Sequence, residues 1–180
     1  MNDYYYLTSE ESKALQNWYH GLDKNRGDRA RLRRAERPED ILFTSAFFNF
    51  IQQMPEEFPQ KTAHNQRMWV KAAIAGLVSH VKENDTSGRF AQQMATAIKG
   101  QKAAMSETRF QQLQKSRTPE DFYRRMIRAI RLLNGRVNMV SLANDIIHWH
   151  KEYNRPFAQE PANRLAVRWA TDYYTTLQTP

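Results

Sequence analysis

Arg124, Arg128 and Arg131 recur at four- and three-residue spacing after Thr118. On a helix that turns about 100° per residue they share one side. Guanidinium groups are planar, permanently charged and fork-shaped, so a row of them suits phosphate oxygens or the faces of unpaired bases. Phe122, Met126, Ala129, Ile130 and Leu133 fall on the opposite side. One side of this helix is therefore expected to pack into a bundle while the other presents charge, with no acidic side chain neutralising the stripe within its own helix. Arg125 and Arg136 would widen the patch.

A second basic run, Arg29-Ala-Arg-Leu-Arg-Arg-Ala-Glu-Arg37, holds five arginines in nine residues. If it is helical, Arg29, Arg33 and Arg37 share a side and Arg34 lies beside them. Lys99, Lys102, Arg109, Lys115 and Arg117 fall between the two clusters in sequence. The chain has 18 Arg and 9 Lys against 19 Asp and Glu, for a net charge of +8. Residues 24–37 carry +5 and residues 99–136 carry +7, which leaves the rest of the chain at −4. Solubility needs no such segregation, whereas binding a polyanion does.

Catalytic chemistry has little to stand on. The chain has no cysteine, which excludes a disulfide scaffold, a thiol nucleophile, an iron–sulfur cluster and any zinc site that uses Cys. His148 and His150 lie near Asp145, but positions two apart project from different helix faces and make a poor metal pair. His20, His64 and His80 are isolated and read as surface or satisfied core histidines. No nucleophile elbow, phosphate-cradling glycine loop or dinucleotide fingerprint occurs. Acid pairs such as Glu10-Glu11 and Glu120-Asp121 sit at helix starts, where dipoles and caps account for them. No enzyme activity, cofactor or metal is expected. Trp18, Trp69, Trp149 and Trp169 read as core residues, and Tyr4-Tyr5-Tyr6 and Tyr173-Tyr174 as weaker candidates for a partner contact.

The elements that hold these residues read at helical period almost throughout. Thr8-Ser-Glu-Glu11 is a capping box that opens a helix whose apolar side is Ala14, Leu15, Trp18, Tyr19 and Leu22. A second helix is expected near 28–37, and Pro38-Glu-Asp40 starts a Phe-rich one carrying Phe43, Phe47, Phe50, Ile51 and Met54. A long helical pattern runs from about Thr62 to Val81. Phe90, Met94, Ala97 and Ile98 make a stripe that ends at Gly100. Ser106 caps a helix with Phe110 and Leu113. Thr118-Pro119-Glu120-Asp121 starts the arginine helix and Asn134-Gly135 stops it. Asn138 or Ser141 opens a helix through Trp149, and Pro161 starts the last, with Leu165, Trp169, Tyr173 and Leu177 four apart. The expectation is an all-α fold of about eight or nine helices and no sheet, in two tightly packed bundles, 1–103 and 104–180. With no apolar run of membrane length and no signal-peptide pattern, the chain is expected to be cytoplasmic and to have no membrane partner.

Asp28-Arg-Ala-Arg-Leu-Arg-Arg-Ala35 followed by Ala46-Phe-Phe48 resembles the N-terminal signature of the CasB family, the small subunit of the type I-E CRISPR complex Cascade. Ser106-Glu-Thr-Arg109-Phe110 with Leu113, the run Phe122 to Leu133, and Asn138 to Leu142 with Asp145 and Trp149 are similar to its C-terminal region. The resemblance spans roughly 14–150. The tail with Pro156 and Pro161 follows no motif of the family and reads as completing the bundle. The resemblance implies an all-helical, non-catalytic subunit that sits beside other Cascade subunits and lines up head to tail with a second copy of itself. There it helps hold guide RNA, the target strand and the displaced DNA strand and so stabilises the R-loop. By position it implies contacts from Arg33, Arg34, Arg109, Arg124, Arg128 and Arg131, with Lys99, Lys102 and Lys115 as neighbours. Charge clustering adds Arg29 and Arg37. Two other readings fit the basic faces: a helical adaptor for acidic protein surfaces, and a stand-alone DNA-binding regulator.

Overall fold

The structure is a computed structural model that describes residues 5–154 and 159–179. Tyr4 and Pro156 lie outside the described residues. Among the described residues ten α-helices follow in chain order: α1 (Ser9–Gly21), α2 (Arg26–Arg34), α3 (Pro38–Ile41), α4 (Ser45–Gln53), α5 (Arg67–Val78), α6 (Phe90–Ala95), α7 (Glu107–Gln114), α8 (Pro119–Leu132), α9 (Met139–Asn154) and α10 (Leu165–Gln178). The fold is mainly all-α. No helix among the described residues is long and apolar enough to cross a membrane.

Side-chain caps set several of the starts. Thr8 and Glu11 close the reciprocal capping box of α1, and Ser106 and Thr118 accept from Arg109 N and Asp121 N at the starts of α7 and α8. The expected Phe-rich helix is split in two. Thr44 donates its hydroxyl to the Ile41 carbonyl, closing α3, and accepts from Phe47 N, opening α4. Phe43 falls in the turn between them and is 82% exposed instead of lying on the apolar side. The stripe to Gly100 also stops early. α6 ends at Ala95, and the chain loops back so that Ala104 N and Met105 N donate to the Thr96 and Met94 carbonyls. Ala97 is left exposed beyond the helix end. Trp69 is 42% exposed, because it occupies the first turn of α5 before the helix enters the core at Val70.

A small parallel pair corrects the expectation of no sheet. β1 (Glu83–Asn84) lies against β2 (Arg136–Val137). Lys82 N and Glu83 N donate to the Gly135 carbonyl, and Asp85 N to that of Val137. Asn134 and Gly135 both take positive φ, 55° and 75°, which is how the chain turns sharply off α8 into β2.

α5 is the central helix, buried from Val70 to Val78 and packed on α9, α3 and α8. Gly76 makes this approach possible, since a Cβ there would collide with the Tyr123 hydroxyl and with Ile41. α10 lies along α6, with Tyr173 stacked on Phe110 at 4.0 Å and donating to the Met105 carbonyl at 2.6 Å. Leu165, Trp169 and Tyr173 are buried and Leu177 is half-buried. One contiguous buried cluster draws on residues from both halves of the chain.

Candidate nucleic-acid interface

α8 turns Phe122, Met126, Ala129 and Ile130 into the core and leaves Arg124, Arg128 and Arg131 exposed. The guanidinium groups of these three arginines have no hydrogen-bond or ion-pair partner among the described residues. The expectation that no acid touches the basic side needs one correction. Asp121, one turn before Arg125, pairs with it at 3.0 Å, and Arg125 also donates to the Gln112 carbonyl. That second bond anchors α8 to α7.

Between α7 and α8 the surface sinks into a groove of about 660 Å³. Arg109 enters from α7, and Arg125, Arg128 and Arg131 from α8. Met105, Leu113 and Leu132 supply its apolar lining, and no carboxylate lines it. Arg124 is exposed on the same helix but outside the lining. Four guanidinium groups around an apolar floor can hold phosphate oxygens on the rim while the floor accepts sugar or base surface. Met105 is the lining residue that sequence periodicity could not reveal, because it sits in irregular chain before α7. Lys99 and Lys102 are exposed on the loop that returns to Met105, and Lys115 is exposed at the C-terminal end of α7.

The first cluster is arranged differently. α2 ends at Arg34, so Arg37 is not on its face and instead pairs with Glu39 and Asp40 at the start of α3. Arg29 is half-buried, pairs with Asp23 at 3.0 Å and lies over the Tyr19 ring. Arg33 donates to the Ser79 carbonyl at the end of α5, at 2.7 Å. Arg34 is exposed. Three of the four arginines expected to bind here therefore also have partners within the fold.

His80 joins the two clusters. It is half-buried, and burial, followed by the charges of Arg33 and Arg131, pulls its pKa down to about 4. Arg33 of α2 and Arg131 of α8 thus lie within electrostatic reach of one imidazole, which is neutral at pH 7. Its Nε2 is buried without a partner among the described residues, so it is not a satisfied core histidine.

His20 and His64 are exposed, whereas His148 and His150 are buried. His148 pairs with Glu152 at 2.8 Å, and His150 is buried against the Phe122 ring. Asp145 accepts from Trp169 Nε1 at 2.9 Å. All three residues lie on α9, and each is turned to a different neighbour.

Residues 28–174 match the family described as CRISPR-associated protein Cse2. The chain belongs to the Cse2 family. This is the family that the sequence motifs resembled under the name CasB, and membership makes the chain a small subunit of the CRISPR complex Cascade. The match begins at Asp28, within α2, and runs to Tyr174 in α10, so it takes in the arginine groove and the tail helix that no motif had explained. No curated protein and no solved structure matches the chain.

Proposed function

We propose that this Cse2 protein is the non-catalytic nucleic-acid-binding small subunit of a type I-E Cascade, and that its α7–α8 groove grips strand backbone during R-loop formation. The observation that carries the reading is the groove itself, in which four arginines face an apolar floor with no acid in the lining. Exchanging a DNA duplex for a guide–target hybrid is nearly balanced in energy, so backbone contacts tip it without reading sequence. Arg124, Lys99, Lys102 and Lys115 extend the positive surface around the groove, and Arg33 and Arg34 continue it past His80. Guide RNA, the target strand and the displaced strand are the polyanions it would touch, in the cytoplasm. Other Cascade subunits and a second copy arranged head to tail would flank it.

The test is charge reversal of Arg124, Arg128 and Arg131 together. A charge-assisted contact is worth about 1.5–3 kcal/mol, so target capture by the reconstituted complex should weaken at least about tenfold. The loss should be equal for all target sequences, and the slope of log affinity against log salt should fall by about 2. A loss confined to some sequences, or no loss, would overturn backbone gripping by this face.

A further inference from the structure

We infer that Tyr153 is a stacking platform for an unpaired nucleobase, at a site separate from the arginine groove; this placement rests on the nucleic-acid reading above. Four aromatic rings form a ladder through the second half of the molecule. Trp169 and Phe122 stack with centroids 6.5 Å apart and planes at 17°, Phe122 and Trp149 at 4.3 Å and 9°, and Trp149 and Tyr153 at 5.1 Å and 10°. The first two rings are buried, Trp149 is half-buried, and Tyr153 is 45% exposed. One face of Tyr153 is covered by Trp149, so its exposure belongs to the other face and the edge. A near-parallel stack that ends in an exposed ring continues naturally with one more flat aromatic group.

The surroundings select the kind of group. Trp149 and Tyr153 line a cavity of about 230 Å³ between α7, α9 and α10, with Gln114, Ser116, Leu165, Ala166 and Glu152 on its other sides. The Glu152 carboxylate is engaged within the fold by His148, Gln159 and the Leu165 amide. In the chain, Lys115 and Arg117 flank Ser116, and Arg164 precedes Leu165; all three are exposed. An aromatic shelf whose lining residues have exposed cations next to them in the chain, and whose one carboxylate is already engaged within the fold, suits a base whose own phosphates reach those cations. Single-stranded nucleic acid is bound in this way, with a basic track for the backbone and aromatic rings for the bases. α7 connects the two features, because Arg109 and Gln112 face the arginine groove while Gln114 lines the aromatic cavity, and Leu113 lines both. A strand leaving the groove at the C-terminal end of α7 would therefore meet Tyr153 directly.

The experiment compares the parent chain with Tyr153→Ala and Tyr153→Phe, each binding a fluorescently labelled single strand and an abasic strand of the same length. Tyr153 is exposed, so folding should survive, and thermal melting checks this. Stacking on an aromatic ring is worth about 1–3 kcal/mol per base, so Tyr153→Ala should weaken binding of the base-bearing strand about tenfold. Tyr153→Phe should restore it, and the abasic strand should bind all three proteins equally. Trp149 emission should change on binding the base-bearing strand only. Equal affinity of the parent chain and Tyr153→Ala for the base-bearing strand would overturn the platform while leaving the groove intact, as would an equal loss on both strands. Failure of the parent chain to bind either strand would overturn the nucleic-acid reading beneath it.

Discussion

Buried titratable side chains oppose one another in this molecule. Burial lifts Asp145 to a pKa of about 7, although the Trp169 hydrogen bond and Arg168 pull the other way. Burial pulls His150 and His80 down to about 4. Between about pH 4 and 7 the unfolded chain gives up the Asp145 proton that the folded one retains, so this group lowers stability as pH rises, with the full cost above pH 7. The histidines act with the opposite sign, since the unfolded chain takes up protons below about pH 6.5. Asp145→Asn keeps an acceptor for Trp169 and removes the carboxylate's cost, which is on the order of 4 kcal/mol at most. The variant should be more stable than the parent at pH 7, and its stability should climb with pH from about 4 to 6.5. Urea unfolding across that range reads both effects, and a less stable variant at pH 7 would contradict the cause assigned. The residue types were legible in the sequence but their partners were not. Nothing in the spacing of Asp145 and His150 says that one meets an indole 24 positions away and the other a phenylalanine ring.

At the scale of elements, helix starts with a side-chain cap were easier to read than helix ends. The uncapped starts of α5 and α10 were misplaced, α5 beginning at Arg67 rather than near Thr62 and α10 at Leu165 after a 3-10 turn at Pro161. A capped start is local chemistry: Thr8, Ser106 and Thr118 each offer an oxygen to an amide three residues on, and each does so in the structure. Ends depend on what the chain meets next. The helical pattern through Phe43 and Ala97 continues on paper, but Thr44 finds two backbone partners and the residues after Thr96 must return to α6. The arginine stripe of α8 was legible because it depends only on period, whereas the groove beside it was not, because it needs α7 alongside. The N-cap of α8 is expected to matter to both. Thr118→Ala should cost about 1 kcal/mol of stability and, by fraying the turn that holds Asp121 against Arg125, loosen the anchor between α8 and α7. Thermal melting and the salt dependence of strand binding measure the two consequences, and unchanged melting would show that Pro119 alone suffices to start the helix.

Across the whole molecule, the uneven charge visible in the sequence reappears as a surface property only in part. Of the 99–136 excess, Arg124, Arg128 and Arg131 become exposed side chains on α8, unpartnered among the described residues, while Arg125 pairs with Asp121 and Arg136 with Glu83 and Asp85. Much of the 24–37 excess is spent internally, by Arg29 on Asp23, Arg33 on a backbone carbonyl and Arg37 on α3. Counting charges along the chain cannot distinguish these fates, because the difference lies in contacts such as Arg33 to Ser79, 46 positions apart. The short β1–β2 pair has a consequence of another kind. It ties the exits of α5 and α8 together through three amides, those of Lys82, Glu83 and Asp85. In heavy water these protons can exchange only when the two exits separate, so their rates time the opening of the chain's two halves from one another. They are expected to exchange as slowly as the amides in the middle of α5, despite lying in a connecting segment whose Lys82 and Glu83 side chains are exposed. Fast exchange there, with α5 still protected, would mean that the join breathes independently of the core.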